Sequence, residues 1–464
     1  MKFKILLVFL LWCAKAAVAE ERVSQYQNLT LDDCIRIALK KHQSLQVSQA
    51  AVEMAEAQYQ QAMSAYWPRL DINVSASRAD QDRTFSLQGS VSLPNELANI
   101  GPKPIKSIPL DMDIKLMDRD ILSSSINLTY PVFTGGKRHA VVNQAKHGVE
   151  IAKQGMRKST LSIIRDIKRF YYGAEFAQQM EQLTSDTLER FQVIEELTEL
   201  LFQNGSLKVK KTDFLRTKTT TAITRAMLHE AHYATELAHQ ALVNAMGLEL
   251  TEQLTLKFNK QTFRLNQDFQ ALIEDAQNFN PDIQRLSLAV MASGEKITEA
   301  RSGYYPKLGL GVTAHKIWSD FDSGLINSDN QEGWTIGVEL KWNLFDGFRT
   351  SGKVDQAKAR LKKLESQKVL VNQATALLIK QHLLRLKSAN QQIDDLLVAV
   401  KYAAQNRDLH IRAYREEMVK TEDVLESQVT EAFVQGSLYR ARYNLNKALY
   451  SLEFQVGKNI RAME

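Results

Sequence analysis

Four segments of the chain alternate apolar and polar residues with a period of two. The clearest runs from Trp334 to Leu344, and the others cover residues 70–76, 122–130 and 308–314. Because successive side chains of a strand point to opposite faces, this alternation predicts β-strands with one apolar and one polar face. Strands of about ten residues, tilted by about 45°, are long enough to cross a bilayer.

Two long stretches, residues 132–280 and 307–464, contain no proline. Proline in a helix interior costs about 3 kcal/mol, so its absence from stretches rich in Ala, Gln, Glu, Lys and Leu favours long helices. One apolar stripe at helical spacing comprises Leu188, Phe191, Ile194, Leu197 and Leu201. A helix over residues 137–202 would be roughly 100 Å long. We expect it to pack along neighbouring helices, as in a coiled coil.

The two halves of the chain repeat short motifs in the same order. The repeated motifs are Tyr66-Trp67-Pro68 with Tyr304-Tyr305-Pro306, Phe133-Thr134-Gly135 with Phe345-Asp346-Gly347, and Asn143-Gln144-Ala145-Lys146 with Asp355-Gln356-Ala357-Lys358. We predict two repeats, 20–247 and 269–464, each ordered helix, strand, loop, strand, long helix, turn, helix. The loop is predicted to be long and proline-rich at 79–120 and short at 317–332. Residues 248–268 would connect the repeats, with a short extra strand near 254–258.

The beginning of the chain has the pattern of a cleaved export signal. Lys2 and Lys4 precede an apolar run over residues 5–12, and Ala17-Val18-Ala19 forms a cleavage site. We predict a signal peptide over residues 1–19, without lipidation of Cys13, because large residues precede that cysteine. No later segment approaches about 18 consecutive apolar residues, so no transmembrane helix is predicted. The exported chain is then periplasmic, secreted or inserted through β-strands.

Composition narrows the possible chemistry. Removing residues 1–19 lowers the formal net charge from +6 to +3, because three lysines and no acid are lost. Such a small excess does not favour nucleic-acid binding. Cys34 is the cysteine that remains, so no intrachain disulfide can form and stability must come from packing or assembly. Phosphate-loop, G-x-S-x-G and C-x-x-C motifs are absent from the sequence. We expect no enzymatic activity and no cofactor.

Four strands are too few to close a barrel within one chain. An open sheet edge in lipid would leave backbone groups without hydrogen bonds, which the hydrocarbon does not permit. If the strands cross a membrane, several chains must therefore share one barrel. The alternative is a β-sandwich domain carried on a soluble helical bundle, as in a structural coiled-coil or adhesin-type envelope protein.

Several motifs, in their order and spacing, resemble those of the TolC-like outer membrane efflux proteins. They are Leu29-Thr30-Leu31-Asp32-Asp33-Cys34-Ile35-Arg36-Ile37-Ala38-Leu39, Ala65-Tyr66-Trp67-Pro68, Tyr130-Pro131-Val132-Phe133-Thr134-Gly135-Gly136 and Trp342-Asn343-Leu344-Phe345-Asp346-Gly347. The resemblance covers nearly all of the mature chain. It implies a mainly helical fold with a transmembrane β-barrel portion, in which a homotrimer shares a twelve-stranded barrel in outer-membrane lipid and its helices form a periplasmic tunnel.

The resemblance also implies partners and a mode of action. A periplasmic adaptor protein and an inner-membrane pump of the RND or ABC type would complete an efflux or type I secretion path. The channel itself would be passive and gated at its periplasmic end.

Candidate entrance residues lie at two helix turns, near residues 203–213 and 415–423. The resemblance implies that Asp423 lines the entrance, and Glu426 lies on the same helical face. In a trimer these acids would form two stacked rings that attract cations. Asp213 occupies the matching turn exit in the first half. The alternative is that Asp213 and Asp423 are helix N-caps. Tyr414 matches a family position that holds the entrance closed, and coiled-coil packing is its alternative.

The turns also depart from the family pattern. Gly205 keeps the usual glycine, whereas Glu417 replaces it in the second half. The first turn is predicted to be about two residues longer than the second. It carries Lys208, Lys210 and Lys211, which are candidate adaptor contacts or simply solvated lysines. Further glycines, at Gly135, Gly136 and Gly347, suit tight strand-to-helix junctions that need positive φ.

A histidine stripe gives one further hypothesis. His229, His232, Glu236 and His239 share one helix face, and such side chains can bind a transition metal. Four ligands on one straight helix cannot converge on a tetrahedral centre, however, so a polar stripe is the preferred interpretation and no metal site is predicted. The competing hypothesis is a metal-binding periplasmic protein.

Overall fold

A computed structural model describes residues 26–94, 103, 107–258, 268–319, 329 and 331–460. The predicted signal peptide, 1–19, and Cys13 lie outside the described residues. The elements in chain order are α1 (Leu31–Lys41), α2 (Gln43–Met63), β1 (Arg69–Arg78), β2 (Arg83–Ser92), β3 (Ser107–Met117), β4 (Asp120–Phe133), α3 (Lys137–Gln203), α4 (Lys211–Ala245), α5 (Phe269–Phe279), α6 (Pro281–Arg301), β5 (Lys307–Trp318), β6 (Glu332–Lys341), α7 (Arg349–Arg415) and α8 (Thr421–Val456).

The helices follow the sequence signals closely. The prediction of one helix over residues 137–202 is confirmed by α3, and α7 has the same length, 67 residues. Helix α1 begins at a capping box, in which Thr30 and Asp33 exchange hydrogen bonds with each other's backbone amides. Helix α6 begins at Pro281, whose fixed φ suits the first helical position. None of the described helices combines the length and the hydrophobicity needed to cross a bilayer.

The four predicted strands are confirmed and form one antiparallel sheet in the order β1-β4-β5-β6. Cross-strand partners such as Leu70 with Leu128, and Val312 with Ile336, place apolar residues opposite one another on one face. That face is open along β1 and β6, where Ile72 and Val338 are each about two-thirds exposed. An apolar face of this extent marks a surface that another molecule covers.

The prediction of a loop over residues 79–120 is wrong. Strands β2 and β3 form a separate two-stranded antiparallel hairpin within it. Pro94 follows the end of β2, and Pro109 lies within β3 opposite Ser90, where this two-stranded hairpin accommodates it. Proline content favours irregular backbone, and it therefore masks the alternation of apolar and polar residues in β2.

The connector also differs from its prediction. In place of an extra strand near 254–258, the described residues show one parallel bridge between Leu29 and Leu256. Leu254 is buried in the same cluster as Leu29, and Leu256 packs against that cluster. The rest of the connector, 259–267, lies outside the described residues.

The chain divides into two compact units. The helical unit, which comprises residues 26–55, 149–290 and 363–460 among those described, contains the hydrophobic core. Its three buried clusters centre on Ile167 with Met246, on Ile379 with Leu449, and on Ile194 with Val424. The second unit, which comprises residues 56–148 and 291–362, carries all six strands.

Candidate site at the two helix turns

Helices α3 and α7 end in the same backbone conformation. Gly205 and Glu417 each adopt positive φ, +76° and +55°. One residue further on, the amides of Ser206 and Met418 donate to the carbonyls of Leu201 and Ala413. This is the left-handed helix ending that usually requires glycine. The turns then run over residues 204–210 and 416–420, so the first is two residues longer, as the sequence indicates.

The non-glycine residue in the second turn holds the two turns together. Ser206 donates from Oγ to the Glu417 carboxylate at 2.9 Å, and Lys208 donates from Nζ to the Glu417 carbonyl at 2.7 Å. A left-handed conformation costs a residue with a side chain about 1–2 kcal/mol. The hydrogen bond from Ser206 works against that cost and needs a side-chain acceptor that glycine lacks, whereas the bond from Lys208 goes to a backbone carbonyl that any residue would supply.

The acids at the turn exits are not N-caps, contrary to that alternative. The N-cap residues are Lys210 and Lys420, and Asp213 and Asp423 stand three positions later. Their carboxylates reach back and accept from the Lys210 and Lys420 amides at 2.9 and 3.0 Å. Both aspartates are half-buried, whereas Glu426, one helical turn beyond Asp423, is exposed. The negative charges therefore lie at the helix N-termini, where the helix dipole favours them.

Tyr414 lies inside the helical unit near the turns. It is 2% exposed and packs in the cluster that contains Ile194 and Val424. Its hydroxyl lies 2.8 Å from Thr198 Oγ1 and 2.9 Å from Thr421 Oγ1. Because Thr198 donates its own proton to the Ile194 carbonyl, Tyr414 donates to Thr198 and accepts from Thr421. One side chain thus links α3, α7 and α8.

The tips of the turns carry apolar side chains that sequence reasoning missed. Leu207 is 99% exposed and Met418 is 72% exposed. The three lysines of the first turn, Lys208, Lys210 and Lys211, are exposed beside Leu207. A leucine between polar turn residues is the signal that could have indicated this surface, because turns normally place polar residues at such positions.

The histidine stripe lies on α4 and faces α3 in part. His232 pairs through Nδ1 with the Glu181 carboxylate at 2.9 Å, and this hydrogen bond raises the pKa of His232. Burial lowers the pKa of His239. Across the described ranges, no group of three or more His, Cys, Asp or Glu side chains is arranged to hold a metal ion. His232 links two helices in this arrangement.

The strand-to-helix junctions lie in the other unit. Gly135, Gly136 and Gly347 adopt positive φ, as the junction hypothesis requires. Gly135 also has no room for a side chain, because a Cβ there would lie 2.9 Å from the Ser302 carbonyl oxygen. Phe348 adopts positive φ at the position where the first half has Gly136.

Comparison with known proteins assigns the class. A family model of outer membrane efflux proteins matches residues 34–248 and 272–458, and the chain belongs to this family. Membership confirms the predicted resemblance and the predicted location in the outer membrane. The family consists of channel and transport proteins.

Individual relatives are distant. The chain is 22% identical over 324 residues to the solvent efflux pump outer membrane protein SrpC of Pseudomonas putida, a match that covers 69% of this chain and 62% of SrpC. It is 24% identical over 254 residues to the alkaline protease secretion protein AprF of Pseudomonas aeruginosa, covering 53% and 51%. The matched region thus spans less than two-thirds of the length of these relatives. The outer membrane protein VceC of Vibrio cholerae shares the fold, with a TM-score of 0.74, 18% identity and coverage of 92% and 96%.

Proposed function

We propose that this chain is one subunit of a trimeric outer-membrane channel that forms the passive exit duct of a tripartite efflux or type I secretion system. The observation that carries the proposal is the open sheet. Its edge strands, β1 and β6, have no further partner among the described strands, and its apolar face is exposed. Three such sheets, joined edge to edge, would close a barrel of about twelve strands and leave no edge in lipid.

The division of the chain into repeats belongs to the same proposal. The order of elements from α1 to α4, apart from the β2–β3 hairpin, returns from α5 to α8. We infer two repeats, 20–247 and 269–464, that each supply two strands to the barrel and two long helices to a periplasmic tunnel. The coiled-coil or adhesin alternative explains the long helices but gives the open sheet no partner.

Electrical recording tests the channel itself. The purified full-length chain, reconstituted in planar bilayers, is expected to give discrete conductance steps with a preference for cations. A channel also requires assembly. Light scattering of the detergent-solubilised protein measures the particle mass, which is expected to correspond to three copies of the chain. Absence of conductance from particles that contain three copies would favour the structural alternative.

The acids at the entrance are expected to set the cation preference. Replacing Asp423 by Asn and Glu426 by Gln removes both charges but keeps an oxygen that can accept the Lys420 amide. We expect weaker cation preference or higher conductance, because the proposed acidic rings attract cations and narrow the entrance. The measurement is the reversal potential under a salt gradient.

A neighbouring acid provides the control for this variant. Glu422, also in the first turn of α8, pairs with Arg216 of α4 at 3.2 Å and is mostly exposed. Glu422→Gln is expected to leave the reversal potential unchanged. Equal currents from the double variant and the unmodified channel would refute the role of Asp423 and Glu426 in the entrance.

We infer that the tips of the turns contact a periplasmic adaptor. The exposed side chains of Leu207 and Met418, flanked by lysines, form an apolar surface with a positive rim. Such a surface fits a partner with an apolar socket and acidic residues around it. The partner would connect the duct to an inner-membrane pump of the RND or ABC type.

Crosslinking in cells checks this contact. A photoreactive residue at Leu207 is expected to capture an adaptor, whereas one at Val47, exposed on α2, is expected to capture none. A proton-driven pump recovered with the adaptor would indicate small-molecule efflux, and an ATP-driven transporter would indicate secretion or a dedicated exporter. Failure at Leu207, under conditions that capture known complexes, would count against the duct.

A further inference from the structure

The β2–β3 hairpin extends the ladder of β1 and β4. Beyond the last pair of that ladder, Ala79 donates from its amide to the Arg119 carbonyl at 2.8 Å. The Asp82 carboxylate then accepts from the Arg119 amide at 2.7 Å and pairs with Lys115 at 2.9 Å. These contacts fasten the base of the hairpin to the sheet. The pairing then continues from Arg83 opposite Met117 to the far end of β2.

One face of the hairpin is apolar along its whole length. The residue pairs on this face are Phe85 with Ile114, Leu87 with Met112, Gly89 with Leu110, and Val91 with Ile108. The opposite face carries Thr84, Ser86, Gln88 and Ser90 with Lys115, Asp113, Asp111 and Pro109. The apolar face is open: Phe85 is 52% exposed, and Leu87 is 43% exposed.

An isolated two-stranded hairpin is at best marginally stable in water, so this face needs a cover. Lipid is a poor candidate. Strand β1 alone has 10 residues, enough to cross the apolar band of about 25 Å when tilted. The hairpin adds another strand length, roughly 33 Å at about 3.3 Å per residue, and so extends beyond the hydrocarbon.

We propose that the apolar face of this hairpin packs against the same face of the neighbouring copies of this chain, above the outer mouth of the shared barrel. The proposal rests on the proposed function, in which several chains close one barrel. Among the described residues, the ladder of β5 and β6 runs to Lys316 opposite Glu332, and no second hairpin of this kind follows it there. The described part of each chain therefore contributes the β2–β3 hairpin to the rim.

The barrel supplies the reason for association. Copies that are joined through the sheet hold their hairpins at a fixed, short separation, so that contact between hairpins becomes intramolecular within the assembly. Packing the apolar faces inward leaves the serines, aspartates and Gln88 of the opposite face in water. The result is an apolar collar that narrows the outer mouth of the channel.

Cysteine crosslinking in whole cells tests the collar. In the full-length chain, Leu87→Cys is expected to form dimers on oxidation in more than half of the copies. Ser86→Cys, on the opposite face of the same strand, is expected to form dimers in less than a tenth. The native Cys34 does not interfere, because it is fully buried and burial raises the pKa of its thiol to about 12.

Met112→Cys, opposite Leu87 on the same face, provides a second variant in case one substitution perturbs the hairpin. Absence of dimers from both variants, in an assembly that still contains three copies by light scattering, would overturn the collar and leave the duct intact. Quenching of a fluorophore at residue 87 by brominated lipid would overturn it in favour of a lipid contact. A chain that does not assemble would refute the collar and the proposed function together.

Discussion

Replacement of Glu431 by Ala is expected to lower the free energy of unfolding by about 3–5 kcal/mol. Glu431 is buried on α8 between two arginines from two other helices. Its carboxylate lies 2.8 Å from Nη1 of Arg407 on α7 and 3.3 Å from Nη2 of Arg190 on α3, the latter an ion-pair contact without hydrogen-bond geometry. Removing the carboxylate leaves the half-buried side chains of Arg190 and Arg407 close together without the negative charge that they share. The measurement is guanidinium unfolding of the detergent-solubilised protein, followed by circular dichroism.

Two further variants test whether the loss of stability arises because the Glu431 carboxylate is buried, and not merely because an ion pair is removed. Asp408 also pairs with Arg407, at 2.8 Å, but is about half exposed. Asp408→Ala is expected to cost less than about 1 kcal/mol, because exposed ion pairs contribute little. Replacing Glu431, Arg190 and Arg407 together by Leu is expected to recover most of the lost stability, since no buried charge then remains unpaired. Equal losses for Glu431→Ala and Asp408→Ala would contradict this explanation.

Such a cluster could not have been predicted from the sequence. Arginine and glutamate on a long helix normally indicate a solvated face, and the contacts join residues far apart in the chain, such as Arg190 and Glu431. The same limit applies at the turns, where Ser206 meets Glu417 and Thr198 meets Tyr414. Contacts of this kind depend on how the helices pack, which no local pattern encodes.

Local patterns, in contrast, predicted most of the architecture. Alternation placed all four strands of the sheet, and the absence of proline placed α3 and α7, because both signals reflect the backbone geometry of a single segment. The β2–β3 hairpin was missed for a related reason. Its period-two signal is present, as in Phe85, Leu87 and Val91, but it lies beside prolines, which usually indicate a loop.

The family resemblance indicated where the entrance residues lie in the sequence, but not all of the contacts that they make. It pointed to the segments that contain Asp423, Glu426 and Tyr414, and the structure places all three close to the two turns. It did not reveal that Asp423 fixes the backbone amide of Lys420. An acid that also caps its helix has two roles, so its loss changes both charge and local stability. This is why the conductance test uses amides in place of alanine.

Replacement of Gly457 by Ala is expected to destabilise the helical unit by about 3 kcal/mol or more. Gly457 ends α8 at φ +85°, where its amide donates to the Glu453 carbonyl at 2.9 Å. A Cβ at this position would collide with the carbonyl oxygen of Phe279, which ends α5. Two costs therefore combine: the left-handed backbone, about 1–2 kcal/mol, and a collision with backbone that no side-chain rotation relieves.

Gly205 supplies the matched control, because it has the left-handed backbone conformation but no neighbouring backbone with which a Cβ would collide. Its φ is +76°, and a Cβ would meet nothing within 4 Å. Gly205→Ala is expected to cost about 1–2 kcal/mol, so the difference between the two variants in guanidinium unfolding measures the collision alone. A collision implies that the end of α8 must move away from α5, and Arg157, which donates to the Gly457 carbonyl at 3.1 Å, would lose its partner. Equal losses for the two variants would show that backbone conformation accounts for the whole effect and that the junction yields without cost.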